Sequence, residues 1–134
     1  MADKRTYAAD TTVPVGRSRG EIDKLLRGWG CGAISWGDDY DHGVVQVSFR
    51  WQHDGRTWDA RISMPQPKGE TREDKQRRRQ LHRILLIKLK SDLNCVEAGF
   101  VSAAVVFLPY LVGTSGLTAA ERLEHTGVAG LLEG

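Results

Sequence analysis

At 134 residues, 40% hydrophobic and 27% charged, the chain has the size and composition of one soluble globular domain, able to bury a core without disulfides or a metal. The opening MADKRTYAADTT lacks the apolar centre of a signal peptide and no stretch reaches the apolar length of a membrane span, which predicts a cytoplasmic protein. Its two cysteines, Cys31 and Cys95, suit neither a CxxC motif nor a disulfide framework and are expected as reduced, buried thiols, while a net charge of only +2 conceals a strong internal asymmetry.

The first element is predicted from Ser18. Ser18-Arg19-Gly20-Glu21 has the form of a capping box, in which hydroxyl and carboxylate satisfy free backbone donors. Ile22, Leu25, Leu26 and Trp29 then share one helical face, and Gly28 and Gly30 supply the stop. Residues 33–36 read as a brief strand running into a polar, glycine-bounded connection over 37–43. Next, Val45, Val47, Phe49 and Trp51 alternate with Gln46, Ser48, Arg50 and Gln52, a strand with one covered face. Asp54-Gly55 separates it from a second alternating run, Trp58, Ala60, Ile62 and Met64 against Thr57, Asp59, Arg61 and Ser63, which predicts a tight hairpin. Pro65 and Pro67 cannot donate to a ladder, so residues 65–69 are a crossover loop.

Thr71 with Asp74 caps a long helix predicted to reach Ala98, with Gly99 as its stop. Residues 68–90 of this region hold nine of the nineteen Lys and Arg and three of the seventeen Asp and Glu, so the rest of the chain is net negative. Leu81, Leu85, Leu89 and Val96 define the apolar stripe, flanked by Ile84, Leu86 and Leu93. Arg72, Arg79, Arg83 and Lys90 align on the opposite side as a basic ridge about 27 Å long at about 1.5 Å per residue. Ile87, near that ridge, is expected under the following helix. Residues 100–112 are the most apolar of the chain and predict a short helix capped by Ser102 and ended by Pro109. Thr118-Ala119-Ala120-Glu121 is a further capping box opening a possible short helix in a frayed tail.

The implied organisation is a flexible segment 1–12, one α+β domain over 13–112 and a tail over 113–134. The order is α-β-β-β-α-α, with helices packed on one face of a small antiparallel three-stranded sheet. That order is similar to the double-stranded-RNA-binding domain, although Glu70, Thr71, Arg72, Glu73 and Asp74 stand where that family carries a lysine-rich signature. A second resemblance covers most of the chain. It rests on Thr11-Thr12-Val13-Pro14-Val15, Arg19 to Leu26, the hairpin closing on Ser63-Met64-Pro65, the Arg77 to Gly99 helix and Phe107-Leu108-Pro109-Tyr110-Leu111-Val112. In these the chain resembles a group of small α+β proteins carried by phages, prophages and mobile elements. The resemblance implies a host-cell cytoplasmic setting and a role in assisting DNA replication or recombination, or in inhibiting a host defence. It implies no catalytic residue and no cofactor.

For enzyme chemistry the only candidate is Asp38, Asp39, Asp41 and His42, a carboxylate and imidazole group of the kind that can hold a divalent metal, yet also the ordinary composition of a polar turn. His53, His82 and His125 are scattered, and phosphate-cradling glycine loops are absent. The expectation is therefore a non-catalytic protein with no metal. The ridge of Arg72, Arg79, Arg83 and Lys90 points to nucleic acid, or to a complex that processes it, with Arg50 and Arg61 added from the wet sheet face. Trp36, Trp51 and Trp58 would stack bases if exposed, but Trp51 and Trp58 fall on the apolar face and are expected in the core. The competing expectation is a protein-binding inhibitor of the anti-CRISPR or anti-restriction kind, since arginine is also enriched at protein interfaces.

Overall fold

A computed structural model of the chain describes residues 7–133; the first half of the segment expected to be flexible, and Gly134, lie outside the described residues. The elements are α1 (Val15–Gly28), β1 (Cys31–Asp39), β2 (Val44–His53), β3 (Arg56–Pro65), α2 (Arg72–Glu97), α3 (Ala103–Phe107), a 3-10 turn (Leu108–Tyr110) and α4 (Ala119–Glu133). The strands form one antiparallel sheet in the order β1-β2-β3. The α+β class and the order α-β-β-β-α-α therefore hold, with α4 as the helix opened by the last capping box.

The β2–β3 hairpin turns on Asp54 and Gly55, both at positive φ (52° and 72°), the pair of angles that matches the twist of the flanking strands. This turn sets the register Trp51↔Trp58, Phe49↔Ala60 and Val47↔Ile62. Val45, Val47, Phe49, Trp51, Ala60 and Ile62 are consequently buried on the helix-covered face. β1 is longer than residues 33–36, because its polar end continues the ladder through Asp38↔Val45 and Asp39↔Val44. Backbone pairing does not depend on side-chain polarity. The register slips between Gly32 and Ser35, where Ala33 takes φ 50°.

α1 starts three residues before the position its capping box implies. Pro14, in extended geometry, is the residue before the first turn, and its carbonyl accepts from Arg17 and Ser18. Proline suits that position because its φ is preset and its missing N–H has no role there. Ser18 then lies inside the helix at the spacing of Ile22 and Leu26, so its hydroxyl is buried against the core without a partner instead of capping.

α2 begins as expected. Thr71 Oγ1 accepts from the Asp74 N–H at 3.1 Å, and Asp74 Oδ2 accepts from the Thr71 N–H at 3.2 Å. Gly99, at φ 83°, donates to the Val96 carbonyl and ends it. Thr71→Ala removes one side of this box and lowers stability by about 1 kcal/mol. Urea unfolding should show a lower midpoint at unchanged slope; an unchanged midpoint would mean the helix start is held by other contacts.

The buried stripe of α2 is rotated from the expected one. Leu85, Leu86, Leu89 and Leu93 are buried together with Arg78, Gln80 and His82, whereas Leu81, Ile84 and Val96 are only half-buried. α1 packs beside α2, and its Ile22 and Leu26 share one core cluster with Leu86 and Leu93. The basic ridge is therefore not opposite the stripe; it runs along the flank where Arg83 and Lys90 meet α1 and Arg72 and Arg79 lie beside residues 10–12. Ile87 is exposed rather than covered.

Ser102 caps α3 through the Val105 N–H at 3.2 Å. Phe107 closes the core at 0% exposure, edge-on to Phe49 and 4.7 Å from Trp51 between ring centroids. Beyond it, the Val112 N–H donates to the Asp59 carbonyl at 2.8 Å, so the chain lies along the outer edge of β3. Thr118 and Glu121 exchange both bonds of their capping box, and α4 is broken at Gly127, φ 71°. Cys31 is buried, which pushes its thiol up to about 12, and Cys95 is half-buried; neither forms a disulfide.

Candidate nucleic-acid interface

Along α2, seven and four residues separate Arg72, Arg79, Arg83 and Lys90, so they recur on one side of a helix held rigid by its buried leucines. Arg72 is exposed in the first turn. Arg79 donates through Nε to Gln76 Oε1 at 3.1 Å, and the Gln76 amide in turn donates to the carbonyls of Ala9 and Thr11 at 3.0 and 2.8 Å. Gln80 donates likewise to the Tyr7 carbonyl. Residues 7–12 thus lie along the outer side of α2, and Gln76, one of the two glutamines that hold them, also aims Arg79, while Gln80 accepts from Arg77. A neutral amide orients a guanidinium without cancelling its charge.

Arg83 donates to Glu21 of α1 at 3.2 Å, and the same carboxylate accepts from Arg17 at 3.3 Å. One anion between two cations leaves a net positive site. Lys90 is exposed beside Lys24, at the end of α1. The ridge is therefore half of a two-helix surface, to which α1 contributes Arg17 and Lys24, and no apolar periodicity within either helix reports that they lie side by side.

Arg50 and Arg61 do not join it. They project from the sheet face opposite the buried strand residues that α1, α2 and α3 cover, and each has a carboxylate. Arg50 is across the ladder from Asp59, 3.4 Å away, with both side chains largely exposed. Arg61 donates to Glu121 of α4 and to the Gly116 carbonyl, which holds the Glu121 carboxyl below its usual range. That pairing anchors the tail to the sheet.

The tryptophans named as stacking candidates are engaged. Trp51 is 3% exposed; Trp36 is half-buried and donates its indole N–H to Asp23 at 2.9 Å. Trp58 is half-buried beneath the Arg56 guanidinium, 4.0 Å from its ring centroid.

A polar cluster around the buried His82 lies where α1, β1 and α2 meet, with Asp38 at its exposed end. Arg19 grips Asp38 with two bonds, 2.8 and 3.2 Å, and donates Nε–H to His82 Nε2 at 3.1 Å. His82 Nδ1 lies 2.7 Å from the Arg78 carbonyl and therefore carries the ring's proton, since Nε2 is the acceptor. The Trp36 ring faces His82 at 5.7 Å, and Arg19 sits over Trp36 at 4.7 Å. Burial lowers the His82 pKa, opposed by the bond to the Arg78 carbonyl, and Arg19 holds Asp38 below its ordinary value. Arg78, 7% exposed, closes the loop after β3 through the Pro67 and Gly69 carbonyls. Sequence spacing carried one signal for this cluster: positions 78 and 82 continue the period of Leu85, Leu89 and Leu93 with polar residues.

The acidic turn is divided between partners. Asp38 belongs to the cluster, and Asp39 accepts from the His42 backbone at 3.1 Å and meets its ring at 2.8 Å. Among the described residues, no three His, Cys, Asp or Glu side chains gather as a set able to hold a metal ion. No described helix is long and apolar enough to cross a membrane. Comparison with protein families, with curated proteins and with solved structures found no match to this chain.

Proposed function

We propose that this is a non-catalytic, phage-type accessory protein of the cytoplasm that binds nucleic acid, or a complex processing it, through the α1–α2 surface. The carrying observation is that Arg79 is held by a glutamine amide and that Glu21 is shared by two arginines, so the cations are oriented while the carboxylates beside them, Glu21, Glu73 and Asp10, offset their charge only in part. Phosphates recognise that combination without regard to base sequence. Contact with four phosphates gives a slope of about −3 to −4 in log K against log salt. In a mobility-shift titration at low salt, replacing both Arg72 and Arg79 with Glu should weaken binding at least about tenfold and flatten that slope by about two contacts. Equal binding by the variant would end this reading.

A second reading has an observation of its own. Phe100 is 79% exposed and, with Val101, Val105 and Leu108, forms an apolar run over the α2–α3 connection and the outer side of α3. Exposed apolar residues gathered in this way mark protein contacts. They support a protein-binding inhibitor of a host defence. A partner retained after nuclease treatment and lost on Leu108→Asp would favour it; a partner lost with the nucleic acid would favour the ridge.

A further inference from the structure

At the C-terminal end of α1, facing the second half of α2, lies a groove of about 360 Å³ bounded by Glu21, Lys24, Leu25, Gly28, Trp29 and Lys90. Leu25 and the Trp29 indole are half-buried against the core, whereas Lys24 and Lys90 are exposed. The groove thus has an apolar, aromatic base and one lysine from each helix at its rim. Gly28 lies at its edge, where an added Cβ would meet no atom within 4 Å. Lys90 is also the last residue of the ridge, so the groove opens where the line of cations ends.

We propose that the groove receives one unstacked nucleobase of a single strand, laid against Trp29, while the flanking phosphates meet Lys24 and Lys90. The inference rests on the nucleic-acid reading and names the strand state it implies. Every base has a π-face, so stacking on an indole adds affinity without sequence preference, and a base held inside a duplex cannot reach the groove. An apolar side chain of a protein partner would fill the same space. Glu21 also bounds the groove, but its carboxylate is taken up by Arg17 and Arg83, so the two lysines, continuous with the ridge, favour a polyanion that carries a ring.

Three labelled ligands of equal length test this with the full chain: a single-stranded oligothymidylate, an abasic single strand and a duplex. The thymidylate should bind at least about tenfold tighter than the abasic strand, the effect of stacking one base. Gly28→Met adds a long apolar side chain at the groove's edge without altering charge, and it should erase that difference while leaving duplex binding unchanged. Trp29→Leu should do the same, with a thermal melt to show that the variant is folded. Equal binding of thymidylate and abasic strand, or an undiminished difference in Gly28→Met, overturns the groove. Salt-sensitive binding in that case leaves the ridge standing. If none of the three ligands binds at low salt, both readings fall.

Discussion

Phe107→Ala should lower the free energy of unfolding by about 3–5 kcal/mol. α3 has only five residues, too few to be stable as an isolated helix. It is held by packing, and Phe107 is its one fully buried side chain, set between Phe49 and Trp51 on the sheet. Truncation removes the apolar area of the ring and leaves a void that the surrounding strands cannot collapse to fill, because β2 is fixed on both sides by ladders to β1 and β3. Leu111 and Val112 follow directly and pair along β3, so loosening α3 also loosens the tail. Urea unfolding and calorimetry measure the loss. A cost below about 1 kcal/mol would show that the void is refilled and that α3 is not what ties the C-terminal part to the sheet.

Stability should also fall as pH drops below about 6.5, the ordinary value for histidine, by as much as about 1.4 kcal/mol per pH unit. His82 has a folded pKa below that value, so between the two the unfolded chain binds a proton that the folded chain refuses. The stabilisation is complete above the unfolded pKa and is lost on acidification until folded His82 also titrates. Geometry gives the cause. Protonation would set an Nε2–H against the Arg19 Nε–H that now donates to it, adding a second positive charge in a buried place. Asp38 acts in a separate, more acidic window. Its carboxyl is held low by Arg19, so its contribution persists above the ordinary 3.8 and is lost only below it. Measuring unfolding free energy against pH for the parent and for His82→Gln separates the histidine from the carboxylates: the variant should lose the slope that begins at about pH 6.5 and keep the one below about 4.5, to which Asp38, Asp39 and Glu121 all contribute. An identical slope in both proteins would assign the acid sensitivity elsewhere.

The hairpin, the long helix, and the caps at Thr71, Ser102 and Thr118 were legible because each rests on contacts between residues close in sequence. Asp54-Gly55 needs only its own φ angles, and Thr71 needs only Asp74. Ser18 misled for the same reason in reverse. Its local pattern is that of a cap, but a helix beginning at Pro14 and a buried stripe through Ile22 and Leu26 draw it inside. The candidate surface was half legible. Periodicity in α2 aligns Arg72, Arg79, Arg83 and Lys90, and alternation puts Arg50 and Arg61 on the wet sheet face, but neither reports that these two pair with Asp59 and Glu121.

Local chemistry in the chain was sufficient for the α+β class, the element order and the gathering of cations on one helix, since each follows from neighbours within a turn or a hairpin. Which side of α2 faces outward, and what each cation meets there, depended on α1 lying against it. The same packing brought Arg19, Asp38 and His82 together from α1, β1 and α2, and placed Trp29 beside Lys24 and Lys90. Arg19 and His82 are 63 positions apart, and the chain writes no periodicity across such a distance. Contacts of that kind exist only once the helices have docked on the sheet, because the apolar faces that drive docking specify burial but not which polar neighbours are carried in beside them.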